Sequence, residues 1–409
     1  MSNRPYPIVT VNEKAARALR AGHPWVYGAE TAGPDGPYEN GCLADVVTAK
    51  GRWMGTGFLN DHSKIRVRLI SRNTNDRFDE GFWRRRVAYA LDYRKTVMGE
   101  DFPVCRLIFG EADQFPGLTA DLFRDILVTE VLSLGMETVK ATLYPLLVEE
   151  LAARGVALRA IYERNEAALR EKEGLPREKG FVPLPGLATD LDGHVTITEN
   201  GIDYDVDYIS GQKTGFFLDQ KENRKAIWRL CPGADVLDFF THTGSFGLNA
   251  AMAGAAHVLS VDSSALAIEQ AKENAALNGL SDRIDYQVAD VFALLPELEA
   301  QGRQADVVIL DPPAFTKSRS SIRAAVRGYR EINLRGMRLT RNGGFLVTCS
   351  CSHFMDPELF RKTIGEAAHD AHVRLRQVEF RTQAPDHPIL WNSEESYYLK
   401  FYIFQVVRE

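Results

Sequence analysis

Four carboxylates stand at matching places in the C-terminal half of this chain. Asp238, Asp262, Asp290 and Asp311 lie at or just past the ends of the apolar runs VLDF, HVLSVD, IDYQVAD and DVVILD. A single aspartate at such a place is ordinarily a helix cap. Four at successive strand ends point to one ligand, because in an open parallel sheet the carboxyl ends of the strands face the binding crevice. Asp262 is placed to accept both hydroxyls of a ribose. Asp290 can reach an adenine amino group, and Asp311 stands nearer the reacting end. The first strand leads into a helix through THTGSFG, which has Gly244 and Gly247 but no G-x-G-x-x-G. That glycine pattern lets backbone approach a pyrophosphate. The ligand expected here is therefore a nucleoside without phosphates, and S-adenosylmethionine fits. A nicotinamide dinucleotide, and with it an oxidoreductase, does not.

These residues need elements to hold them. From residue 210 onward, short apolar runs at 235–239, 257–261, 284–289, 306–310 and 344–349 alternate with amphipathic segments. In 264–278, Ala265, Ile268, Ala271 and Ala275 recur at three- and four-residue steps behind Ser263 and Ser264, which predicts a capped helix. This alternation predicts an α/β fold, an open parallel sheet with helices on both faces. The first 72 residues differ. A helical piece carrying Ala15 and Leu19 precedes strand-like runs at 43–48, 53–59 and 64–70. In the last, Ile65, Val67 and Leu69 alternate with Lys64, Arg66 and Arg68, so one face reads as core and the other as basic. A small β-barrel module is expected. The polar stretch 72–80 reads as a linker. A helix over 80–98, a strand at 127–131, a helix over 137–154 and a strand at 158–164 follow. Asn200-Gly201 between two alternating runs then marks a hairpin. Residues 73–209 read as a central α+β domain, and 210–409 as the sheet domain.

The chain has 409 residues, 45% hydrophobic and 25% charged, an ordinary globular balance. The formal net charge is −6, yet residues 1–75 hold ten Lys/Arg against six Asp/Glu. A basic module on an acidic body suits a local polyanion contact. No run of 18 apolar residues suggests a membrane span, and the N-terminus lacks the apolar core of a signal peptide. Five cysteines do not form a disulfide framework, and Cys349 and Cys351 are too close for a routine bridge. A cytoplasmic protein without a metal is expected. The oligomeric state is not legible.

VLDFFTHTGSFGLNAA, SVDSSALAIEQAKENAALNG, VADVF and VILDPPAF resemble successive motifs of class I S-adenosylmethionine-dependent methyltransferases. GQKTGFFLDQKENR, FGEADQFPGLTADLF, CSCSHFM, APDHP, YYLKFY and the N-terminal HPWVY extend the resemblance over nearly the whole chain. Together they resemble the bacterial large-subunit ribosomal RNA cytosine-C5 methyltransferase family. The resemblance implies a PUA-like domain over 1–72, a central α+β domain and a Rossmann-like catalytic domain. It implies S-adenosylmethionine as cofactor, held by Gln220, Asp238, Thr243, Gly244, Ser245, Asp262, Ser263, Asp290, Val291, Asp311 and Pro312. It implies large-subunit ribosomal RNA, or an assembly intermediate, as partner, with Lys64, Arg66 and Arg68 as the first RNA contacts. In the family the segment around Gln220 and Arg224 lies over the cofactor. Arg224 would meet the methionine carboxylate or else pair with Glu222 or Asp219. His387 would line the pocket or bond structurally, while His23 and Trp25 would pack within the first module.

Cytosine C5 is a poor nucleophile until a thiolate adds at C6. The wider cytosine-C5 class carries Gly-Gly, a strand and Thr-Cys-Ser, which places its cysteine on Cys351. Cys349, two residues earlier, shares a strand face with it, so periodicity alone does not choose. Cys351 is the expected nucleophile and Cys349 a filler. Where relatives in the wider class carry a second cysteine, this chain has Ala314 in Asp311-Pro312-Pro313-Ala314-Phe315. Proton removal then falls to another group, with Asp311 the candidate base. The same loop resembles enzymes that methylate guanine or an exocyclic nitrogen, which keeps that alternative open. A non-catalytic RNA-binding protein on the same fold is the remaining alternative.

Overall fold

Val, Ile and Leu dominate the short runs after residue 234, and each run becomes a strand of one seven-stranded sheet in the computed structural model. The structure describes residues 4–316 and 318–408. The strands are β1 Asp235–Phe239, β2 His257–Asp262, β3 Ile284–Val288, β4 Ala305–Leu310, β5 Thr340–Ser350, β6 Val373–Arg381 and β7 Lys400–Arg408. Their order across the sheet is β3-β2-β1-β4-β5-β7-β6. The first five run parallel, and β7 is antiparallel to both of its neighbours. Strands β1 and β4 are buried along nearly their whole length, as expected where helices cover both faces. Five helices do so: α1 Ser245–Met252, α2 Ala265–Leu277, α3 Val291–Ala300, α4 Ile322–Leu339 and α5 Pro357–Ala371. The order reverses direction between β1 and β4, so their carboxyl ends open a crevice there.

The chain divides into two compact units. The seven-stranded sheet lies in the second, which also takes residues 196–205 and 397–409. The first unit takes the rest of residues 1–195 with 206–218 and 385–396. It contains two sheets. One has six strands between Ile8 and Ser71, with the helix Glu13–Arg20; Val9, Val11, Ala15, Leu19, Val46 and Val67 form its core. The other has five strands between Val104 and Phe181, covered by the helices Glu80–Met98 and Leu134–Ala152.

The hairpin is formed as expected. Its strands are His194–Glu199 and Ile202–Asp207, and Asn200 (φ 55°) with Gly201 (φ 77°) make the turn, which needs positive φ at both positions. It does not belong wholly to the central domain, however. Its second strand bonds to α2 and its cap, the Asp203 and Asp205 amides donating to Asn278 Oδ1 at 2.8 Å and Asn274 Oδ1 at 2.9 Å. These bonds satisfy edge amides that would otherwise lack partners, which is why 196–205 fold with the second unit. The reverse holds for 385–396. Asp386 Oδ2 accepts the Arg106 amide at 2.8 Å, and the Asp386 carbonyl accepts from Arg94 at 3.0 Å, both within the first unit.

Candidate cofactor and catalytic site

Asp238 ends β1 in full burial. Its Oδ2 accepts from the Thr241 hydroxyl and, at 3.2 Å, from the Ser260 hydroxyl. The nearby Gly247 amide also favours the ionised carboxylate. Its Oδ1 is buried with no partner. Burial pushes the carboxyl up to about 6, since a low-dielectric setting disfavours the anion. An orphaned buried carboxylate oxygen asks for a donor that the protein itself does not supply.

The loop that follows is strained toward the crevice. Phe240 and His242 hold φ of 64° and 51°, a region that non-glycine residues seldom adopt. The strain aims the His242 amide at Asp262 Oδ2, 2.9 Å away, while Asp262 Oδ1 takes the Ser264 amide at 2.9 Å. Each oxygen keeps a lone pair, which suits a pair of ribose hydroxyls. Gly244 caps α1 at φ 85°, and Thr243 gives its carbonyl to Asn274 at 3.2 Å. A Cβ on Gly247 would lie 2.3 Å from Ser260 Oγ and 2.9 Å from Asp238 Oδ2. Only glycine lets α1 pack this close to β1 and β2, and Ser245 then starts the helix with its amides toward the crevice.

The remaining positions are less uniform. Asp290 is exposed and caps α3, accepting the Phe292 amide at 2.9 Å, so the ordinary cap role is present and one oxygen is left over. The Val291 side chain is in the core and offers only backbone. Ser263 is exposed; Ser264, not Ser263, caps α2. Gln220 was expected at the cofactor. Its amide donates to Asp311 Oδ1 at 2.9 Å and accepts from Asn223 at 2.6 Å, so it supports Asp311. Arg224 forms a buried two-pronged pair with Glu199, at 2.6 and 2.7 Å, and the Asp219 carboxylate adds to the field that keeps it charged.

Asp311 and the two cysteines meet at the ends of β4 and β5. Burial, reinforced by the Asp219 carboxylate, raises Asp311 to about 7. Cys349 is fully buried beside Asp311 and Gln220, and burial together with Asp311 pushes its thiol well up. Cys351 lies one step beyond the end of β5, half-buried, with its Sγ 3.8 Å from the Pro312 carbonyl. Ser352 is held by the Tyr329 hydroxyl at 2.9 Å. Sequence reasoning missed Lys400, whose ammonium donates to the Ser352 carbonyl at 2.7 Å; YYLKFY had marked the segment without giving it a role.

Two expectations for the first unit are corrected. Arg68 does not face solvent. It is buried, bonded to Glu111 at 3.0 Å and Glu173 at 2.9 Å, because these two carboxylates, far along the chain, cover that face of its strand. Arg66 pairs with Asp61, leaving Lys64 exposed. His387 bonds Asp386 at 2.8 Å, both buried within the first unit, so its role there is structural. Trp25 donates to Glu111 at 2.8 Å and meets His23 edge to face. Among the described residues no cluster could hold a metal, and no helix is long and apolar enough to cross a membrane.

Comparison with known proteins agrees with this geometry. Residues 9–72 match the PUA-like domain, and residues 187–397 match the S-adenosylmethionine-dependent methyltransferase family. A Shewanella denitrificans protein named ribosomal RNA large subunit methyltransferase I is 41% identical, over 95% of this chain and 97% of its own. A protein of the same name from Pseudoalteromonas atlantica is 36% identical, over 98% and 99%. Among solved structures, an S-adenosylmethionine-dependent methyltransferase of Streptococcus mutans superposes with a TM-score of 0.81, and a methyltransferase complexed with SAH with 0.83. Each is 20% identical and covers 97% of this chain and 99% of its own. The chain belongs to the S-adenosylmethionine-dependent methyltransferase family.

Proposed function

We propose that this methyltransferase forms 5-methylcytosine in large-subunit ribosomal RNA, or in an assembly intermediate of it, with Cys351 as a transient nucleophile. The observation that carries the reading is the contrast between the two cysteines. Cys349 is sealed and held as a neutral thiol against Asp311, while Cys351 is reachable at the strand's open end. The names of the relatives support the RNA class. Asp238, Asp262 and the start of α1 hold S-adenosylmethionine, which supplies an electrophilic methyl group.

The Cys351 thiolate bonds to C6, and the C5–C6 π electrons become available at C5 for the methyl. Asp311 then takes the C5 proton. The freed electron pair re-forms the C5–C6 double bond as the sulfur–C6 bond breaks, returning the thiolate. A carboxyl near 7 is suited to this exchange, since a base works best with a pKa close to the operating pH. The target base must leave its stack to reach the crevice, so a single-stranded segment is the expected site. The PUA-like module, through Lys64, contributes phosphate contacts. Five thiols without a disulfide suit work in a reducing cytoplasm.

A second reading, methylation of guanine or an exocyclic nitrogen, rests on the Asp-Pro-Pro loop, whose Pro312 carbonyl faces the same space. It needs no thiol. Nucleoside mass spectrometry of ribosomal RNA from a deletion strain, with the purified enzyme added back, separates the two. Loss and return of 5-methylcytosine is expected; loss and return of a methylated nitrogen would replace the reading.

A further inference from the structure

Lys400 opens β7 opposite Ser350, the residue before Cys351. Its side chain is 1% exposed. The ammonium donates to the Ser352 carbonyl at 2.7 Å and to the Tyr398 carbonyl at 2.8 Å, and no carboxylate among the described residues lies within ion-pair distance. A buried cation with only neutral acceptors is costly. Met would fill the same volume without that cost, so the charge needs a reason.

We propose that Lys400 is the positioning cation of Cys351: anchored on two carbonyls beside the nucleophile, it supplies the positive charge that stabilises the Cys351 thiolate before attack and as it leaves. This deepens the cytosine-C5 reading and rests on it. Burial lowers the ammonium to about 8, while Cys351 and Asp356 hold it protonated, so the cation persists near neutrality. Other groups face the same space. Asp356, which caps α5, is a negative charge that favours the protonated Lys400. Tyr329 on α4 is raised to about 12 by burial, with Cys351 adding to it. Behind Cys351 lies Asp311, which carries negative charge when ionised, while Cys349 stays a neutral thiol. The Pro312 carbonyl also favours the neutral thiol. Lys400 is the cation set against these, and cations beside a cysteine are a recognised means of activating it.

The test is site-resolved alkylation of the full chain by iodoacetamide across pH 6–10, read at the Cys351 peptide by mass spectrometry, in wild type, Lys400→Met and Lys400→Arg. Binding of S-adenosylhomocysteine reports folding. In Lys400→Met the alkylation midpoint is expected to rise by about one pH unit, with about tenfold slower labelling near neutrality, and Lys400→Arg to stay near wild type. A folded Lys400→Met with an unchanged profile overturns the proposal. If Lys400→Met does not bind the probe, Lys400→Arg decides: a wild-type profile supports the charge role, and a profile shifted upward in the folded variant overturns it. The measurement needs no RNA. A shifted profile in Lys400→Met together with no adduct on 5-fluorocytosine RNA in wild type would sustain the Lys400–Cys351 coupling and refute the C5 chemistry.

Discussion

The two units treat buried charge in opposite ways. In the first, buried arginines have carboxylates: Arg68 with Glu111 and Glu173, Arg94 with Asp113, Arg170 with Glu137. In the second, away from the strand ends, Arg224 and Glu199 follow the same rule. At the strand ends the rule lapses. Asp238 keeps a partnerless oxygen, Asp311 sits against another carboxylate, and Lys400 has carbonyls only. Matched charge fixes a fold. Unmatched charge destabilises it and persists where a ligand or reaction uses it. A protein that only bound RNA would have no use for the second pattern, which is why an enzyme is the better reading.

The largest break in this contrast is expected from Asp311→Asn. Turnover should fall about 10²- to 10⁴-fold, the ordinary worth of a general base, with S-adenosylhomocysteine affinity nearly intact. In wild type, kcat should climb as pH rises through about 7, where Asp311 loses its proton. A variant with wild-type turnover would remove Asp311 from the chemistry.

Arg68→Met probes the matched side. Glu173 would be left buried with only Asn60 and Ser63 as donors, so urea unfolding should show a loss of about 3–5 kcal/mol. Adding Glu173→Gln should recover part of it. If the single change costs nothing, the first unit's ion pairs are not what holds its two sheets.

Asp238→Asn should separate stability from binding. An amide oxygen can keep the Thr241 and Ser260 bonds, while its NH₂ replaces the orphaned Oδ1. The native carboxyl is raised to about 6. The stability lent by its protonated form is therefore complete below about pH 4 and lost as pH rises through about 6. The variant should accordingly gain on wild type at pH 8 and not at pH 4. Its cofactor affinity should drop by ~1–3 kcal/mol, measured by calorimetry.

Much of this arrangement was legible in the residues. Strand-end aspartates, the glycine loop and the Asn-Gly turn each have a local signature, and β1, α1 and the hairpin formed where read. What failed depends on contacts far along the chain. Lys64, Arg66 and Arg68 alternate as a solvent face should, but the carboxylates that claim Arg68 lie 43 and 105 residues away. Arg224 likewise finds Glu199, 25 residues upstream. Strands Val104–Phe109 and Leu118–Phe123 went unread because buried positions on both faces erase the two-residue alternation. Periodicity alone could not separate Cys349 from Cys351; the two differ in burial, which only the fold determines.

The smallest effect should come from the exposed rim. Lys64→Ala is expected to weaken RNA binding about three- to tenfold at low salt and to reduce the salt dependence by about one phosphate contact. Binding unchanged at every salt concentration would move the RNA path off this face.

The central claim is that Cys351, not Cys349, bonds to the base. RNA carrying 5-fluorocytosine cannot release its C5 substituent as a proton, so with S-adenosylmethionine it should leave a protein–RNA adduct that survives denaturation. Wild type and Cys349→Ala should form it, while Cys351→Ala should form none and lose turnover. An adduct that persists in Cys351→Ala, or full activity of that variant with the methyl on a nitrogen, would contradict the account.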